Sequence, residues 1–347
     1  SAPVFSNPDP AGLALLERLP EIFREIFPMS GADKRHLPHN VALLSEILTT
    51  RRSSLTGRPY WSSPALAGAY LWYFLPWNLI RLMGLLPGVQ LKLTPGAKIL
   101  DIGSGPLALP LALWLSRPDL RDLPLRFTCL DSAALPLRLG RACFNALAGP
   151  DSPWRFKTVP EALFLALPRQ SRDFDLLTAC NMLNEVKAGR QSSLGLHLDR
   201  QINDLTGHLK PGGQLLIVEP GNRLGGKIVS LTRRAALQRG FELLAPCTHR
   251  AACPLAADQP KTETREQAAG QRHVGTSWCH FACPEKALAV PGWLDKLSRD
   301  ARLTKDKVTL SWLFAQKRNA HADSGQRKAE NKISGPIAPT PGAVPGR

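Results

Sequence analysis

Four of the seven cysteines in this 347-residue chain fall within one short stretch of sequence. They are Cys247, Cys253, Cys279 and Cys283, and a proline follows the second and the fourth of them. Cysteine thiolates that converge in pairs can bind tetrahedral zinc or an iron–sulfur cluster, and a proline directly after the cysteine occurs in some ferredoxin ligand runs. The clustering therefore predicts a metal centre, and a set of unrelated buried thiols is the alternative.

A glycine turn forms a second candidate site, in the run Asp101-Ile102-Gly103-Ser104-Gly105-Pro106 between an apolar segment and a helical pattern. Glycines let the backbone turn tightly and approach a ligand, and the amino end of the following helix offers free N–H groups. Asp131 closes the next apolar run, where a carboxylate can accept hydrogen bonds from ribose hydroxyls. We therefore predict that Asp101, Gly103, Gly105 and Asp131 bind the nucleoside part of a cofactor.

The loop alone does not identify the nucleotide. A dinucleotide site favours G-x-G-x-x-G, and Ala108 is a tolerated variant of its last glycine, so NAD is not excluded. The turn Lys210-Pro211-Gly212-Gly213 precedes a further apolar strand, and with the glycine loop and Asp131 it resembles class I S-adenosylmethionine-dependent methyltransferases. That resemblance implies S-adenosylmethionine as the cofactor. The third glycine of the family's loop is replaced by Leu107, which predicts a reshaped pocket and weaker cofactor binding.

Polar residues follow the predicted strand at positions 174–179, at the place that faces the methyl group and the substrate in this fold. Asn181, Asn184 and Glu185 are therefore the candidate catalytic residues. Neither the Asn-Pro-Pro-Tyr motif of amino-group methylases nor the Pro-Cys pair of cytosine-C5 methylases occurs in this segment. Asn184 and Glu185 could equally cap the next helix. Glu219, at the end of the following strand, is a further pocket candidate.

A parallel sheet is needed to bring these residues together. Short apolar runs at 99–102, 125–130, 174–179 and 214–218 alternate with helical patterns, which predicts a doubly wound, Rossmann-like α/β fold. Further strands are predicted at 241–244 and 308–314. The predicted organisation is a helical amino-terminal region at 1–90, a cofactor-binding domain at 91–245, a Cys-rich metal-binding insertion at 246–304, the last strand of the sheet at 305–318 and a disordered basic Pro/Gly-rich tail at 319–347.

Positive charge dominates the composition, since Lys and Arg outnumber Asp and Glu by 44 to 28 and the pI is about 9.9. Such an excess favours an anionic partner, RNA first, although a generally basic surface is the alternative. Basic residues concentrate between Ser298 and Lys332, and again at Arg51, Arg52 and Arg58. We see no secretory signal and no apolar run long enough to cross a membrane, so we expect a cytoplasmic protein with no membrane or DNA partner.

The cysteine motifs carry a closer resemblance. Pro246-Cys247-x-His249-x3-Cys253-Pro254 and Trp278-Cys279-His280-Phe281 are similar to motifs of the methyltransferase-like proteins of the mitochondrial ribosomal small subunit and their bacterial relatives. This resemblance covers residues 95–318. It implies a role on the small ribosomal subunit, in rRNA methylation or assembly, and a [4Fe–4S] cluster held by four cysteines, with zinc as the alternative metal.

The fourth metal ligand stays open. Cys247, Cys253 and Cys279 match the family's motif positions, whereas the family draws its last cysteine from nearer the carboxyl terminus. This chain has no cysteine after Cys283. Either Cys283 replaces the distal ligand, or His249 or His280 substitutes for it.

Three functional hypotheses follow from the sequence. The first is a methyltransferase, or methyltransferase-like factor, that acts on the small ribosomal subunit. The second is a non-catalytic iron–sulfur assembly factor that keeps the fold for stability and RNA docking, which Leu107 and the missing catalytic motif favour. The third, a small-molecule methyltransferase with a structural zinc, fits the basic charge least well.

Overall fold

An eight-stranded sheet forms the centre of the part of the chain that the computed structural model describes, which is residues 4–6, 9–49, 60–161, 172–185, 194–253, 255 and 278–319. The strands in chain order are β1 (Lys98–Ile102), β2 (Arg126–Asp131), β3 (Arg155–Pro160), β4 (Phe174–Cys180), β5 (Leu209–Pro220), β6 (Phe241–Ala245), β7 (Phe281–Pro284) and β8 (Lys307–Lys317). Their spatial order is β3-β2-β1-β4-β5-β8-β6, and β7 pairs with β8 beyond the end of β5.

Strands β1 to β5 are parallel where they pair, and β8 runs antiparallel to β5, β6 and β7. This sheet confirms the predicted α/β class. It differs from the dinucleotide-binding sheet, whose sixth strand lies directly beside the fifth, because β8 is inserted in the reverse direction between β5 and β6. The sheet order therefore disfavours NAD, which the glycine loop alone left open.

Both faces of the sheet are covered by helices, as expected for parallel strands. The helices are α1 (Pro10–Glu17), α2 (Leu19–Ile26), α3 (Gly31–Thr49), α4 (Pro64–Ala69), α5 (Leu75–Leu85), α6 (Ala108–Ser116), α7 (Ala134–Ala148), α8 (Leu194–Thr206), α9 (Arg223–Gln238) and α10 (Gly292–Asp300). Alternate residues of β1 face opposite cores: Ile99 packs in the cluster that contains α1 to α7, and Leu100 packs in the cluster beneath α8 and α9.

The amino-terminal helices belong to the same core as the sheet. Gly12 of α1 lies so close to α6 that a side chain there would overlap the carbonyl oxygen of Leu115. Tyr73 and Trp77 are 1% and 2% exposed, so these aromatic side chains pack in the same core. Within the described part of the chain, no helix is long and apolar enough to span a membrane.

Two strands escape the sequence pattern. β3 is an edge strand whose side chains are mostly exposed or half-buried, so it carries no apolar run. β7 has four residues and exists because β8 extends past Pro220 and offers free backbone groups to residues 281–284. The tail at 320–347 lies outside the described residues, as do Arg51, Arg52 and Arg58.

Candidate functional site

The glycine loop joins β1 to α6 at the carboxyl edge of the sheet. Gly103 and Gly105 have φ angles of +63° and +51°, the left-handed region that favours glycine. A side chain at Gly103 would overlap the side chain of Met182, whereas a Cβ at Gly105 would meet nothing within 4 Å. The loop is therefore closed on the Met182 side and open over Gly105, as a ligand that approaches the backbone requires.

Leu107 also has a positive φ of 56° and immediately precedes α6. Its side chain is fully buried, and it packs close to Gly140 of α7, where a Cβ would meet Leu107 Cγ at 2.8 Å. The replacement of the family's third glycine is thus absorbed by the core between α6 and α7. This corrects the expectation that Leu107 reshapes the pocket.

Asp131 ends β2 beside the same loop. The Gly105 N–H donates to its Oδ2 and the Ala133 N–H donates to its Oδ1, both at 2.9 Å. Burial raises the pKa of Asp131, and these backbone donors oppose the rise. Each oxygen of a carboxylate can accept more than one hydrogen bond, so Asp131 can hold the loop and still receive ribose hydroxyls.

Asp101 lies beneath the loop and is 1% exposed. The Thr178 hydroxyl donates to its Oδ1 at 2.6 Å, while Oδ2 has no hydrogen-bond partner among the described residues. Burial raises the pKa of Asp101 to about 6, Asp131 adds to the rise, and the hydroxyls of Thr178 and Ser104 oppose it. An underbonded buried carboxylate is a feature expected of a ligand site rather than of a packed core.

The turn after β4 faces the loop. Asn181 has a left-handed φ of 57°, and its N–H donates to Val218 O at 2.7 Å. The N–H groups of Leu183 and Asn184 donate to the two carboxylate oxygens of Glu219, at 2.9 and 3.3 Å. Glu219 is fully buried, so it holds this turn from below and is not presented to a substrate.

The three predicted catalytic residues follow β4, and the structure describes the side chains of two of them. Asn181 and Asn184 lie at the carboxyl edge, and Asn184 is 8% exposed. The side chain of Glu185 lies outside the described part of the structure. The Asn184 N–H donates to Glu219 Oε2 at 3.3 Å. This bond involves only the backbone of Asn184, so the capping and the catalytic alternatives for its side chain both stay predictions.

The segment Trp278-Cys279-His280 lies across the start of α9. The Trp278 indole N–H donates to Gly221 O at 3.0 Å, and Gly226 allows the close approach, since a Cβ there would meet Cys279 O and Trp278 Cδ1 at 2.8 Å. The Ser311 hydroxyl of β8 donates to Cys279 O at 2.7 Å. The backbone of Cys279 is therefore fixed from both α9 and β8.

Cys247 and Cys253 approach Cys279 from the loop that follows β6. Burial raises the pKa of Cys279 to about 11, the nearby thiols of Cys247 and Cys253 raise it further, and the Arg233 guanidinium opposes them. Three of the four predicted ligands are thus brought into one electrostatic neighbourhood.

Arg233 organises this neighbourhood. It is 8% exposed, and its Nη2 donates to the carbonyl oxygens of His249 and Ala251 at 2.6 and 3.0 Å. It forms no ion pair with a carboxylate among the described residues. Buried cations are normally paired. The thiols near Arg233 would become suitable anions if they bound a metal, because metal-bound cysteines are deprotonated. Sequence reasoning missed this residue, although an arginine on the apolar face of α9 beside Val229 and Ala236 was a visible signal.

The structure does not bring Cys283 to this group. Cys283 lies in β7 opposite Val308 and packs in the main core. An extended chain rises about 3.3 Å per residue, so Cys283 lies roughly 13 Å along the chain from Cys279, and its pKa is raised by burial with no contribution from another cysteine.

The two histidine alternatives differ from each other. His249 Nδ1 lies 3.4 Å from Arg233 Nη2, which can only donate, so that nitrogen is an acceptor already engaged. His280 stacks on Trp278 with 5.3 Å between ring centroids, and Cys279 lies between the two in sequence. Neighbouring side chains of an extended segment point to opposite sides, so His280 points away from the Cys279 thiol.

The donor chemistry of Cys247, Cys253 and Cys279 suits a thiolate-bound metal. Among the described residues, no group of three or more His, Cys, Asp or Glu side chains has the geometry to hold a metal ion. The three thiols therefore lie close enough to influence the pKa of Cys279, and they are not assembled into a metal-binding group in this structure.

Comparison with known proteins connects this arrangement to a family. A family model described as mitochondrial small ribosomal subunit Rsm22 matches residues 93–290, more than half of the chain and both candidate sites. No curated protein matches the sequence.

Several solved methyltransferases are similar to the chain. A Methanococcus maripaludis protein assigned as an S-adenosyl-L-methionine-dependent methyltransferase is 19% identical with a TM-score of 0.31, over 48% of this chain and 63% of its own, so the chain spans less than two thirds of it. The Haemonchus contortus phosphoethanolamine N-methyltransferase 2 is 14% identical with a TM-score of 0.36, over 70% of this chain and 53% of its own. A Mesorhizobium loti S-adenosylmethionine-dependent methyltransferase is 16% identical with a TM-score of 0.33, over 70% of this chain and 98% of its own.

The buried carboxyl of Asp101 predicts a distinctive pH dependence of stability. Because its folded-state pKa of about 6 exceeds the ordinary value of 3.8, the folded protein binds this proton more tightly than the unfolded chain does. Its contribution to stability is therefore lost as the pH rises from about 4 to about 6, by an amount on the order of 3 kcal/mol. We expect Asp101→Asn to become more stable relative to the wild type across that window, measured by urea unfolding at a series of pH values.

Asp119→Asn is the matched control. Its hydrogen bond to Arg117 lowers the pKa of this exposed carboxyl. The stability difference between this variant and the wild type should therefore change in the opposite direction as the pH rises. If the stabilities of the wild type and Asp101→Asn changed in parallel with pH, the pKa of Asp101 would not be raised in the folded protein.

Proposed function

Since the chain belongs to the Rsm22 family of the mitochondrial small ribosomal subunit, we propose that it is an S-adenosylmethionine-binding, methyltransferase-like factor that acts on the small ribosomal subunit. The observation that carries the proposal is the glycine loop at the carboxyl edge, open over Gly105 and flanked by the carboxylate of Asp131. Ligands of open α/β sheets bind at this edge.

Each part of the loop suits one part of the cofactor. Asp131 can receive the ribose hydroxyls, and Gly105 leaves the backbone exposed to the ligand. The underbonded Oδ2 of Asp101 provides a buried acceptor below. S-adenosylmethionine would supply an electrophilic methyl group, and the chain would contribute chiefly proximity and orientation, which are worth several orders of magnitude in rate.

A non-catalytic assembly factor is the second candidate, and a specific observation favours it. Asn181 and Asn184, the described candidates at the position of a base, are amides and cannot take up a proton at neutral pH. The carboxylate of Glu219 is fully buried beneath this turn and bonds two of its backbone N–H groups. A neutral, nucleophilic nitrogen can accept a methyl group without a general base. The enzyme hypothesis is therefore compatible with these residues if the methyl acceptor is such a nitrogen.

We also propose that Cys247, Cys253 and Cys279 hold a metal centre, with a [4Fe–4S] cluster as the preferred metal group and zinc as the alternative. The position of these cysteines near a buried arginine supports this proposal, because thiolates bound to a metal keep their negative charge at neutral pH and so compensate Arg233. The metal centre would tie the loop after β6 to α9 and β8, and no step of methyl transfer runs through it.

The first experiment compares Gly105→Ala with Gly96→Ala. Both glycines have positive φ angles with open space around them, but Gly96 precedes β1 at the opposite edge of the sheet. Each variant should lose about 1–2 kcal/mol of stability through the left-handed backbone. Only Gly105→Ala should weaken S-adenosylhomocysteine binding in calorimetry, by roughly tenfold or more, because its methyl group enters the ligand space. Equal affinities in the two variants would place the cofactor elsewhere.

The metal centre is tested by replacing one proposed ligand, Cys279, and the cysteine that lies apart from the proposed ligands, Cys283. We expect anaerobically purified Cys279→Ala to lose its metal, and Cys283→Ala to retain it because β7 holds this thiol in the core. Iron, sulfide and zinc analysis with an absorbance spectrum distinguishes about four irons from a single zinc. Loss of metal from Cys283→Ala would make Cys283 a ligand despite its position, and a metal-free wild type would refute the centre.

Methyl transfer separates the two functional candidates. Small subunits isolated from cells that lack the protein are incubated with methyl-labelled S-adenosylmethionine and wild-type protein or Gly105→Ala. Label in rRNA that depends on Gly105 supports the enzyme. Sedimentation of both proteins with the subunits, without label, supports the assembly factor. Absence of sedimentation would overturn the ribosomal proposal.

A further inference from the structure

Two cations lie where α5 meets the loop that leads into β8. Tyr73 lies in the helical turn Tyr70–Phe74 that leads into α5, and Trp77 and Arg81 lie in α5. The three follow one another at intervals of four residues, so they lie along one side of this continuous helix. Lys305 lies over the two rings, with its Nζ 5.4 Å from the Tyr73 centroid and 5.3 Å from the Trp77 centroid. Arg81 and Lys305 are both half-buried.

The position of Lys305 is fixed by contacts on both sides of the loop. The Tyr73 hydroxyl donates to Leu303 O at 2.8 Å, and the Trp77 indole N–H donates to Ser298 Oγ at 3.3 Å. Ser298 in turn donates to Leu294 O within α10. The lysine is therefore not an unrestrained surface side chain.

Neither cation has an anionic partner among the described residues. Arg81 Nη1 donates to Asn78 Oδ1 at 2.7 Å, and its Nε is buried without a partner. Burial, together with the repulsion from Arg81, lowers the pKa of Lys305 to about 8. No carboxylate offsets either effect. The neighbouring basic residues of α10 differ, since Lys296 pairs with Asp300 and Arg299 pairs with Asp295.

Buried like charges oppose folding unless something compensates them. The aromatic faces of Tyr73 and Trp77 attract Lys305, but they leave the Arg81 Nε without an acceptor. At the cysteine site the buried Arg233 has thiols beside it. Here the described chain provides no such group, so the two cations are suited to bind the anion of a ligand.

We propose that Arg81 and Lys305 form a binding site for a phosphate group, and that the group is a backbone phosphodiester of RNA. A guanidinium and an ammonium together are the donors that recognise phosphate oxygens. The exposed Arg302 and Lys307 lie on either side of Lys305 in the sequence. They outweigh the exposed Asp306 between them, so this loop keeps the net positive charge that a polymer of phosphates requires.

The location agrees with this ligand. Leu310 of β8 pairs with Pro220 at the end of β5, so Lys305, five residues earlier in the chain, lies beyond the carboxyl edge where the glycine loop is found. An RNA strand held here would run past the mouth of the cofactor site. The RNA source rests on the proposed function, whereas the phosphate site itself does not.

The first test uses inorganic phosphate and the full-length protein. Thermal unfolding is followed with phosphate or chloride at equal ionic strength in the wild type, Lys305→Met and Lys296→Met. We expect phosphate to raise Tm in the wild type and in Lys296→Met, and to have no effect specific to phosphate in Lys305→Met. An equal rise in all three proteins, or none in the wild type, would overturn the site.

Arg81→Met provides a second variant. Removal of an uncompensated cation should leave Tm in chloride unchanged or higher, and should abolish the phosphate effect. A marked fall in Tm in chloride, with the phosphate effect intact, would show that Arg81 is a structural residue.

RNA binding identifies the source of the phosphate. The affinity for a fluorescent single-stranded RNA is measured by anisotropy over a series of salt concentrations. Each phosphate contact contributes about −0.7 to the slope of log K against log salt, so Lys305→Met should flatten the slope by about that amount and Lys296→Met should not. Equal slopes in a protein that responds to phosphate would assign the site to small phosphate compounds and overturn the RNA assignment. A normal slope change without binding to small subunits would instead refute the ribosomal function alone.

Discussion

The carboxylate of Glu219 holds the turn that closes the glycine loop, and the strand that carries it pairs with the strand that anchors the cysteine site. Glu219 is fully buried, and a carboxylate is tolerated there only when donors replace the water it has lost. The N–H groups of Leu183 and Asn184 are two of those donors. By holding this turn they keep Met182 against Gly103, which closes one side of the glycine loop. On the neighbouring strand, Ser311 pairs with Glu219 and bonds the carbonyl of Cys279.

Charge burial distinguishes the functional parts of this molecule from its core. Asp101 is buried with one oxygen unpaired, and Arg233 is buried with carbonyls and thiols as its partners. Each of these groups lowers the stability of the folded protein, because a buried uncompensated charge costs several kcal/mol. Groups of this kind are retained where a ligand completes them. These two buried groups are the observations that support the proposed cofactor and metal sites.

Local chemistry was readable from the sequence, and long-range pairing was not. The glycine loop, Asp131 and the strands β1, β2, β4 and β5 were predicted because turn residues and buried apolar runs are local signals. β3 was missed because an exposed edge strand has no such run. The separation of Cys283 from Cys279 depends on the pairing of β7 with β8, which no spacing of cysteines encodes. Leu107 was misjudged because its direction is set by contact with Gly140 on a different helix.

The two candidate sites share a short piece of backbone. Gly221 follows the Glu219-Pro220 end of β5, and its carbonyl accepts the Trp278 indole N–H. A side chain at Gly221 would overlap Thr309 of β8, so the segment is held tightly on both sides. Trp278, which precedes Cys279, therefore contacts the end of the strand that carries Glu219. Glu219 in turn holds the turn that closes the glycine loop. Packed interiors transmit displacement instead of absorbing it. The order of the cysteine site and the shape of the glycine loop are therefore coupled through the end of β5.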